Sequence, residues 1–405
     1  MTFQVAREKG GELRKSYLSA AKRVVVKVGS AVLTTGSGLN QAVLDNLAEE
    51  LTFLKESGRE VILVSSGAVA SGRKKLGLGN RVLRMREKQA AAAVGQSSLM
   101  HSYEDLFDRH DQKVAQVLLT HDDFAHRDRY LNVRNTIFTL FEWGILPIIN
   151  ENDTVSVKEL RFGDNDTLGA MVANLIDADA FICLTDVDGL YTGNPCTNPQ
   201  ATRVHTVAEV DEEVENMAGN ICGSSLGTGG MRSKILAAKM VAAKGGCSFI
   251  GPGREPGVLR KLFAGELVGT FFLPLERKLA SRKHWIAYTL RPKGYLVLDT
   301  GACRALSDQG KSLLPSGIRE VRGKFGVGDP VHCLSPEGKA IAAGLVNYDS
   351  ADIERIHGCH TSKIEELIGY KDSDEVIHRD NLVMLGIRNS NTVNQEEVEA
   401  TGFKE

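Results

Sequence analysis

The 405-residue chain has almost no net charge: 49 Lys and Arg stand against 51 Asp and Glu, a formal −2. It therefore carries no electrostatic footprint for nucleic acid or for an anionic membrane surface. Paired cysteines are also missing. The seven cysteines, at 183, 196, 222, 247, 303, 333 and 359, contain no C-x-x-C. That argues against both a zinc site and a disulfide framework, and it suits a reduced, cytoplasmic setting. No apolar run reaches about 18 residues, so no membrane-spanning helix is expected. The opening "MTFQVAREKGGELRKSYLSAAKR" lacks the continuous apolar stretch of a secretory signal. No internal repeat is present.

What remains is an ordinary soluble composition, 42% hydrophobic and 25% charged, in a chain long enough for more than one core. Short apolar runs alternate with helix-like stretches. The runs are "RVVVKV" (23–28), "EVILVSS" (60–66), "VAQVLLT" (114–120), "ILPIIN" (145–150), "AFICLT" (180–185) and "CSFIG" (247–251). Most are apolar throughout rather than alternating, as parallel strands buried on both faces are. Between 167 and 178, Leu168, Met171, Val172, Leu175 and Ile176 form one helical stripe. This pattern predicts a three-layer αβα sandwich around a mostly parallel sheet. After about residue 280, strand-like pieces punctuated by Gly, Pro and Asp predict a small, mainly β module. The last twenty residues are polar and read as disordered.

In an open parallel sheet, ligands bind where strands end at their carboxyl edges. After the first run stand Lys27, Gly29 and Ser30, able to hold a phosphate or merely to solubilise a strand end. Ser65, Ser66 and Gly67 follow the second, either approaching a ligand or capping a helix. The stretch "INENDTVSVKELRFGDNDTLGA" follows the fourth and gathers Glu151, Asp153, Asp164 and Asp166 with Asn150, Asn152 and Asn165. A helix starting near Thr167 needs one aspartate as its cap, not this number. Such a cluster suits an ammonium ligand, or lysines held around a phosphate. Thr185, Asp186 and an Asp-Gly turn follow the fifth. Finally "GSSLGTGGMRSKILAAKMVAAK" sets Gly227, Gly229 and Gly230 before a helix with Lys234 near its start. It is neither the Walker nor the dinucleotide fingerprint.

Seven stretches in this order, "VVKVGSAVLT", "VSSGAVASGRKKLG", "KQAAAAVGQSSLM", "PIINENDTVSV", "FGDNDTLGA", "LTDVDGLYTGNP" and "LGTGGMRSKILAA", closely resemble the glutamate 5-kinases, a branch of the amino acid kinase family. The later "LLPSGIREVRGKFGVGDPV" and "GLVNYDS" resemble a PUA domain, a module often attached to RNA-modifying enzymes. The resemblance implies a kinase domain at 22–275, a linker at 276–291 and a PUA domain at 292–370. An extension at 1–21 and a C-terminal segment at 371–405 flank them.

It also implies ATP-dependent phosphorylation of the side-chain carboxylate of L-glutamate, the first step of proline synthesis from glutamate. By motif, Lys27, Thr185, Asp186, Thr228, Gly229, Gly230, Met231, Arg232, Ser233 and Lys234 would meet ATP. Ser66, Asp153 and Asn165 would hold glutamate. Lys27, Asp166 and Lys234 would carry catalysis, with Mg2+ arriving on ATP and no resident metal. Proline as a feedback inhibitor, a homodimer or homotetramer, and coupling to glutamyl-5-phosphate reductase follow from the same resemblance.

The chemistry is consistent. A carboxylate with a pKa near ~4.3 is already ionised at neutral pH and needs no general base. The difficulty is bringing an anion to a polyanion, which two lysines ease; Asp166 would orient them rather than take a proton. Two alternatives share features of the sequence. Another carboxylate kinase of the family would have the same lysines. An RNA-binding protein would share the PUA-like module, but residues 292–370 hold nine Lys and Arg against ten Asp and Glu, where an RNA clamp should be basic.

Overall fold

The computed structural model describes residues 5–35, 38–79, 81–156, 165–195, 197–219, 230–275 and 281–385. The chain divides into two compact units, Met1–Lys278 and Leu279–Glu405. The first contains β1 (Arg23–Val28), a short hairpin of β2 (Thr34–Thr35) and β3 (Gly38–Leu39), then β4 (Glu60–Val64), β5 (Val114–Leu119), β6 (Leu146–Glu151), β7 (Ala180–Thr185), β8 (Thr206–Val207), β9 (Cys247–Pro252) and β10 (Thr270–Phe272). All but the hairpin join one sheet in the order β5-β6-β4-β1-β7-β9-β10-β8. Neighbours run parallel except β9 and β10.

Each of the six apolar runs forms a strand of this sheet. Side chains alternate between faces along a strand, yet β6 and β7 bury every residue and β1 all but its first. Both faces are therefore covered, as the unalternating sequence predicts. β5 differs: its run "VAQVLL" is mostly only half-buried, because it is the edge strand of the sheet.

Two helices, Ala68–Lys75 and Met85–Asp108, cross with their backbones touching. A Cβ on Gly72 would lie 1.8 Å from Ala91 O, and one on Gly95 would lie 1.8 Å from Ala68 O. Only glycine permits this approach. It sets Gln96 and the residues after β4 next to one another.

The extension also folds into the first unit. Residues Arg7–Ala20 form a helix whose Arg14 is fully buried. Its Nη1 donates to Glu266 O at 2.8 Å and Val268 O at 2.5 Å, its Nη2 donates to His205 O, and its guanidinium lies over the Phe271 ring. The charge is thus met by main-chain carbonyls beside β8 and β10. Burial, and then the Arg203 charge, pull its pKa down to about 10, so it stays protonated at neutral pH.

The second unit holds a five-stranded sheet of β11 (Gly294–Leu298), β12 (Ile318–Gly323), β13 (Pro330–Leu334), β14 (Ala340–Leu345) and β15 (Leu382–Met384). Its order is β12-β11-β13-β14-β15, with β11 and β13 parallel and the other pairs antiparallel. Its own core includes Leu296, Leu298, Val331, Ile341 and Ile353. Residues Ser281–Tyr288 form a helix whose Ile286 packs with Ala343 and Val383 of this unit.

Candidate active site

The site lies at the carboxyl ends of β1, β4, β6 and β7. Lys27, one residue from the end of β1, is 5% exposed, so it is no solubilising strand-end charge. The sheet register sets it beside Cys183 of β7 on one side and Val64 of β4 on the other.

Asp166 reaches Lys27 from the helix Asn165–Leu175. That helix can lie close to the sheet because Gly169, one turn on, has no side chain: a Cβ there would stand 2.7 Å from Phe181 Cε2 and 3.4 Å from Lys27 Cβ. The helix buries Gly169, Ala170 and Ala173 as well as the apolar stripe, so it is enclosed rather than lying on a surface. It begins at Asn165, earlier than expected, and Asp166 stands inside its first turn rather than outside as a cap.

Asp166 has no exposed surface. Its Oδ1 accepts from Lys27 Nζ and, at 3.2 Å, from Cys183 Sγ. Its Oδ2 accepts from Lys234 Nζ at 3.1 Å and Ser233 Oγ at 2.9 Å. Burial by itself would raise this carboxyl's pKa. The Lys27 and Lys234 charges outweigh it and hold Asp166 well below the usual carboxylate range. Lys234, 6% exposed, is the fourth residue of the helix Met231–Lys244. Two cations from distant parts of the sequence thus share one buried carboxylate.

A second, neutral cluster adjoins it through Asn165. Asn165 Nδ2 lies 2.8 Å from Ser65 O, 2.8 Å from Ser66 Oγ and 3.0 Å from Asn150 Oδ1. Its two hydrogens are divided among three acceptors. Asn150 Nδ2 donates to Gln96 Oε1 at 2.9 Å, and Ser65 Oγ meets the Tyr103 hydroxyl at 2.8 Å. The helix Ala68–Lys75 has no side-chain cap, so Ser66 faces this network instead of the helix end.

The structure thus joins Lys27, Asp166, Ser233 and Lys234 in one cluster, and Ser66 with Asn165 in another. Thr185 is buried at the end of β7 and donates to Asp186 Oδ1 at 3.0 Å. Asp153 lies just past β6, its N–H donating to Glu151 O. Met231 is buried, while Gly230 and Arg232 are exposed. Thr228 and Gly229 lie outside the described residues, as do Asp164 and Gly227. Cys183, Gln96 and Tyr103 also join these clusters, and no local sequence pattern marks them. Gln96 stands within the stretch "KQAAAAVGQSSLM", but nothing local says that it faces Asn150.

Among the described residues, no group of three or more His, Cys, Asp or Glu could hold a metal ion, and no helix is long and apolar enough to cross a membrane. The site's assets are buried cations, amide and hydroxyl groups, and a carboxylate fixed in its ionised form.

The amino acid kinase family model matches residues 22–250, and the PUA domain model matches residues 294–368. Curated relatives match across both. The glutamate 5-kinase of Desulfotalea psychrophila is 56% identical over 375 residues, covering 92% of this chain and 100% of the relative. Those of Geobacter sulfurreducens and Citrifermentans bemidjiense are each 51% identical over 374 residues, with the same coverage. With its fold, its paired lysines and this similarity along nearly its whole length, the chain belongs to the glutamate 5-kinases of the amino acid kinase family, in the form that carries a C-terminal PUA domain.

Proposed function

We propose that the chain transfers the γ-phosphoryl group of ATP to the side-chain carboxylate of L-glutamate, giving L-glutamyl 5-phosphate and ADP. The observation that carries this reading is the buried Lys27–Asp166–Lys234 cluster at the strand ends. The relatives' name, glutamate 5-kinase, supports it.

The glutamate carboxylate attacks phosphorus as the bond from the γ-phosphorus to the β–γ bridging oxygen breaks. Lys27 and Lys234 offset negative charge on the transferring group and the leaving oxygen, where the loose transition state spreads it. Asp166 keeps both ammonium groups on station and takes no proton. The Ser66–Asn165 network and Asp153 receive glutamate, with Asp153 pairing with its ammonium. Thr185, Asp186 and residues 228–234 receive ATP. Mg2+ would enter as the complex with ATP and offset charge on its phosphates.

The test is ADP release with ATP, Mg2+ and L-glutamate, with hydroxylamine trapping the acyl phosphate as a hydroxamate. N-acetylglutamate should be a far poorer substrate, because acetylation removes the ammonium charge. Turnover of N-acetylglutamate or aspartate equal to that of glutamate would overturn the assignment.

The same reading makes proline, the product at the pathway's end, an inhibitor at a site overlapping that of glutamate. Inhibition should weaken as glutamate rises. A rate unmoved by millimolar proline would remove this part. An acyl phosphate hydrolyses readily, which favours hand-over to glutamyl-5-phosphate reductase from a cytoplasmic homo-oligomer. The near-neutral PUA domain gives no ground for a nucleic-acid partner.

A further inference from the structure

We propose that Cys183 is a positioning residue for the reaction: its thiol supplies a fixed neutral hydrogen bond that helps hold the Asp166 carboxylate in place while the lysines engage phosphate. This rests on the phosphotransfer reading above and extends it to a residue that touches neither substrate.

Among the described residues, the donors on Asp166 fall into two kinds. Lys27 and Lys234 are charged and must turn part of their hydrogen bonding toward the nucleotide. Cys183 and Ser233 are neutral, one on each carboxylate oxygen. These two are not equivalent. Ser233 is half-buried in the first turn of the helix Met231–Lys244, and its hydroxyl also lies 2.8 Å from Gly230 O. One hydrogen serves two acceptors there, so the bond to Asp166 is exchangeable.

Cys183 has no exposed surface and sits in the middle of the sheet. Its strand is paired on both sides, opposite Lys27 of β1 and opposite Ile250 of β9. The register that sets it beside Lys27 is also what aims both at the same carboxylate oxygen. Burial, and then the Asp166 charge, push its thiol pKa up to about 12. Across the neutral range it is therefore S–H, a donor, and not a thiolate that would repel Asp166.

Cys247 provides a matched control. It is equally buried on the neighbouring strand β9, but at that strand's amino end, where its thiol meets Asp179 O at 3.3 Å. The experiment compares kcat, KM and thermal unfolding for Cys183→Ala, Cys183→Ser and Cys247→Ala. A single weak hydrogen bond implies a fall in kcat of about fivefold for Cys183→Ala with little change in either KM. Cys183→Ser, which keeps a donor, should recover most of the rate. Cys247→Ala should lose comparable thermal stability and keep its kcat.

In an Asp166→Asn background, Cys183→Ala should add little further loss in kcat and should lose less stability than in the wild type, the packing part of the loss remaining. Unchanged kcat in Cys183→Ala, no recovery with serine, or full additivity with Asp166→Asn overturns the proposal. If the alanine variant does not accumulate folded, Cys183→Val fills the space without a donor and carries the same expectation. A wild-type protein that releases no ADP with glutamate defeats the phosphotransfer reading instead. The unfolding cycle would still decide whether Cys183 and Asp166 are coupled, and a zero coupling there sinks the Cys183 proposal by itself.

Discussion

Asp166→Asn should lower kcat by about two orders of magnitude, on the order of 3 kcal/mol, while KM for ATP and for glutamate moves far less. The substitution keeps the shape and removes the charge that Lys27 and Lys234 share. Those ammonium groups would repel each other in a buried site and lose their common anchor. Ground-state binding draws on many contacts, whereas the transition state depends on where those two charges stand. The same loss should weaken the fold, because two buried cations lose the carboxylate they share. Rates are therefore to be compared below the variant's own unfolding temperature.

Lys234→Ala should be at least as damaging to kcat. The double variant should cost less than the two losses combined, because the residues act as one unit. Additive losses would show that Asp166 works independently of Lys234, and the mechanism would have to be given up.

The pH dependence separates this role from general-base catalysis. The folded-state pKa of Asp166 is depressed below its ordinary 3.8. Its stabilising charge is therefore fully present above about pH 4 and is lost only as pH falls toward the depressed value. Asp166 should contribute no acidic limb to the rate between pH 5 and pH 8 (an order-of-magnitude window from the same linkage). A limb in that range that vanishes in Asp166→Asn would identify a base instead.

Gly95→Ala should destabilise the protein by about 3 kcal/mol, at the upper end of what overpacking costs. The added methyl group would fall 1.8 Å from Ala68 O, with Gly72 N at 2.4 Å. These are backbone atoms, so no rotamer change relieves the clash; the two helices must separate. Gly72→Ala should behave alike, because its methyl would meet Ala91 O. Ala93→Leu, on an exposed position of the same helix, should change stability by no more than about 0.5 kcal/mol. Urea unfolding of the three variants tests this directly. Separation would also carry Gln96 away from Asn150, so whatever Gly95→Ala protein folds should show a raised KM for glutamate. Stability within 1 kcal/mol of wild type (roughly the scale of an ordinary surface change) would mean that the pair can slide apart freely.

Much of this was legible in the sequence, for physical reasons. Strands buried on both faces need unbroken apolar runs, so β1, β4, β6, β7 and β9 announce themselves, and the residues after them point to the site. Lys27, Asp166 and Lys234 stand out because each sits at a strand end or a helix start, while their grouping as one set is what the family resemblance implies. What escaped depends on distance rather than neighbourhood. "VAQVLL" reads like the other strands, although its edge position leaves it half exposed. Gly72 and Gly95 read as helix-weakening residues until the second backbone lies against them. Cys183 reads as an apolar core residue until the register sets it beside Lys27. Arg14 reads as surface charge in a polar extension, because its partners are main-chain carbonyls that leave no mark on the sequence.

The family model starts at residue 22, but the protein's interior starts earlier. A cut placed at that boundary would not trim an appendage. It would withdraw a cation from among the carbonyls of Glu266, Val268 and His205 and leave them to the solvent. Val5 N–H, which donates to Thr206 O at 3.0 Å, would go with it, stripping the outer strand of the sheet. Where the family model begins and where the buried interior begins are, in this chain, two different places.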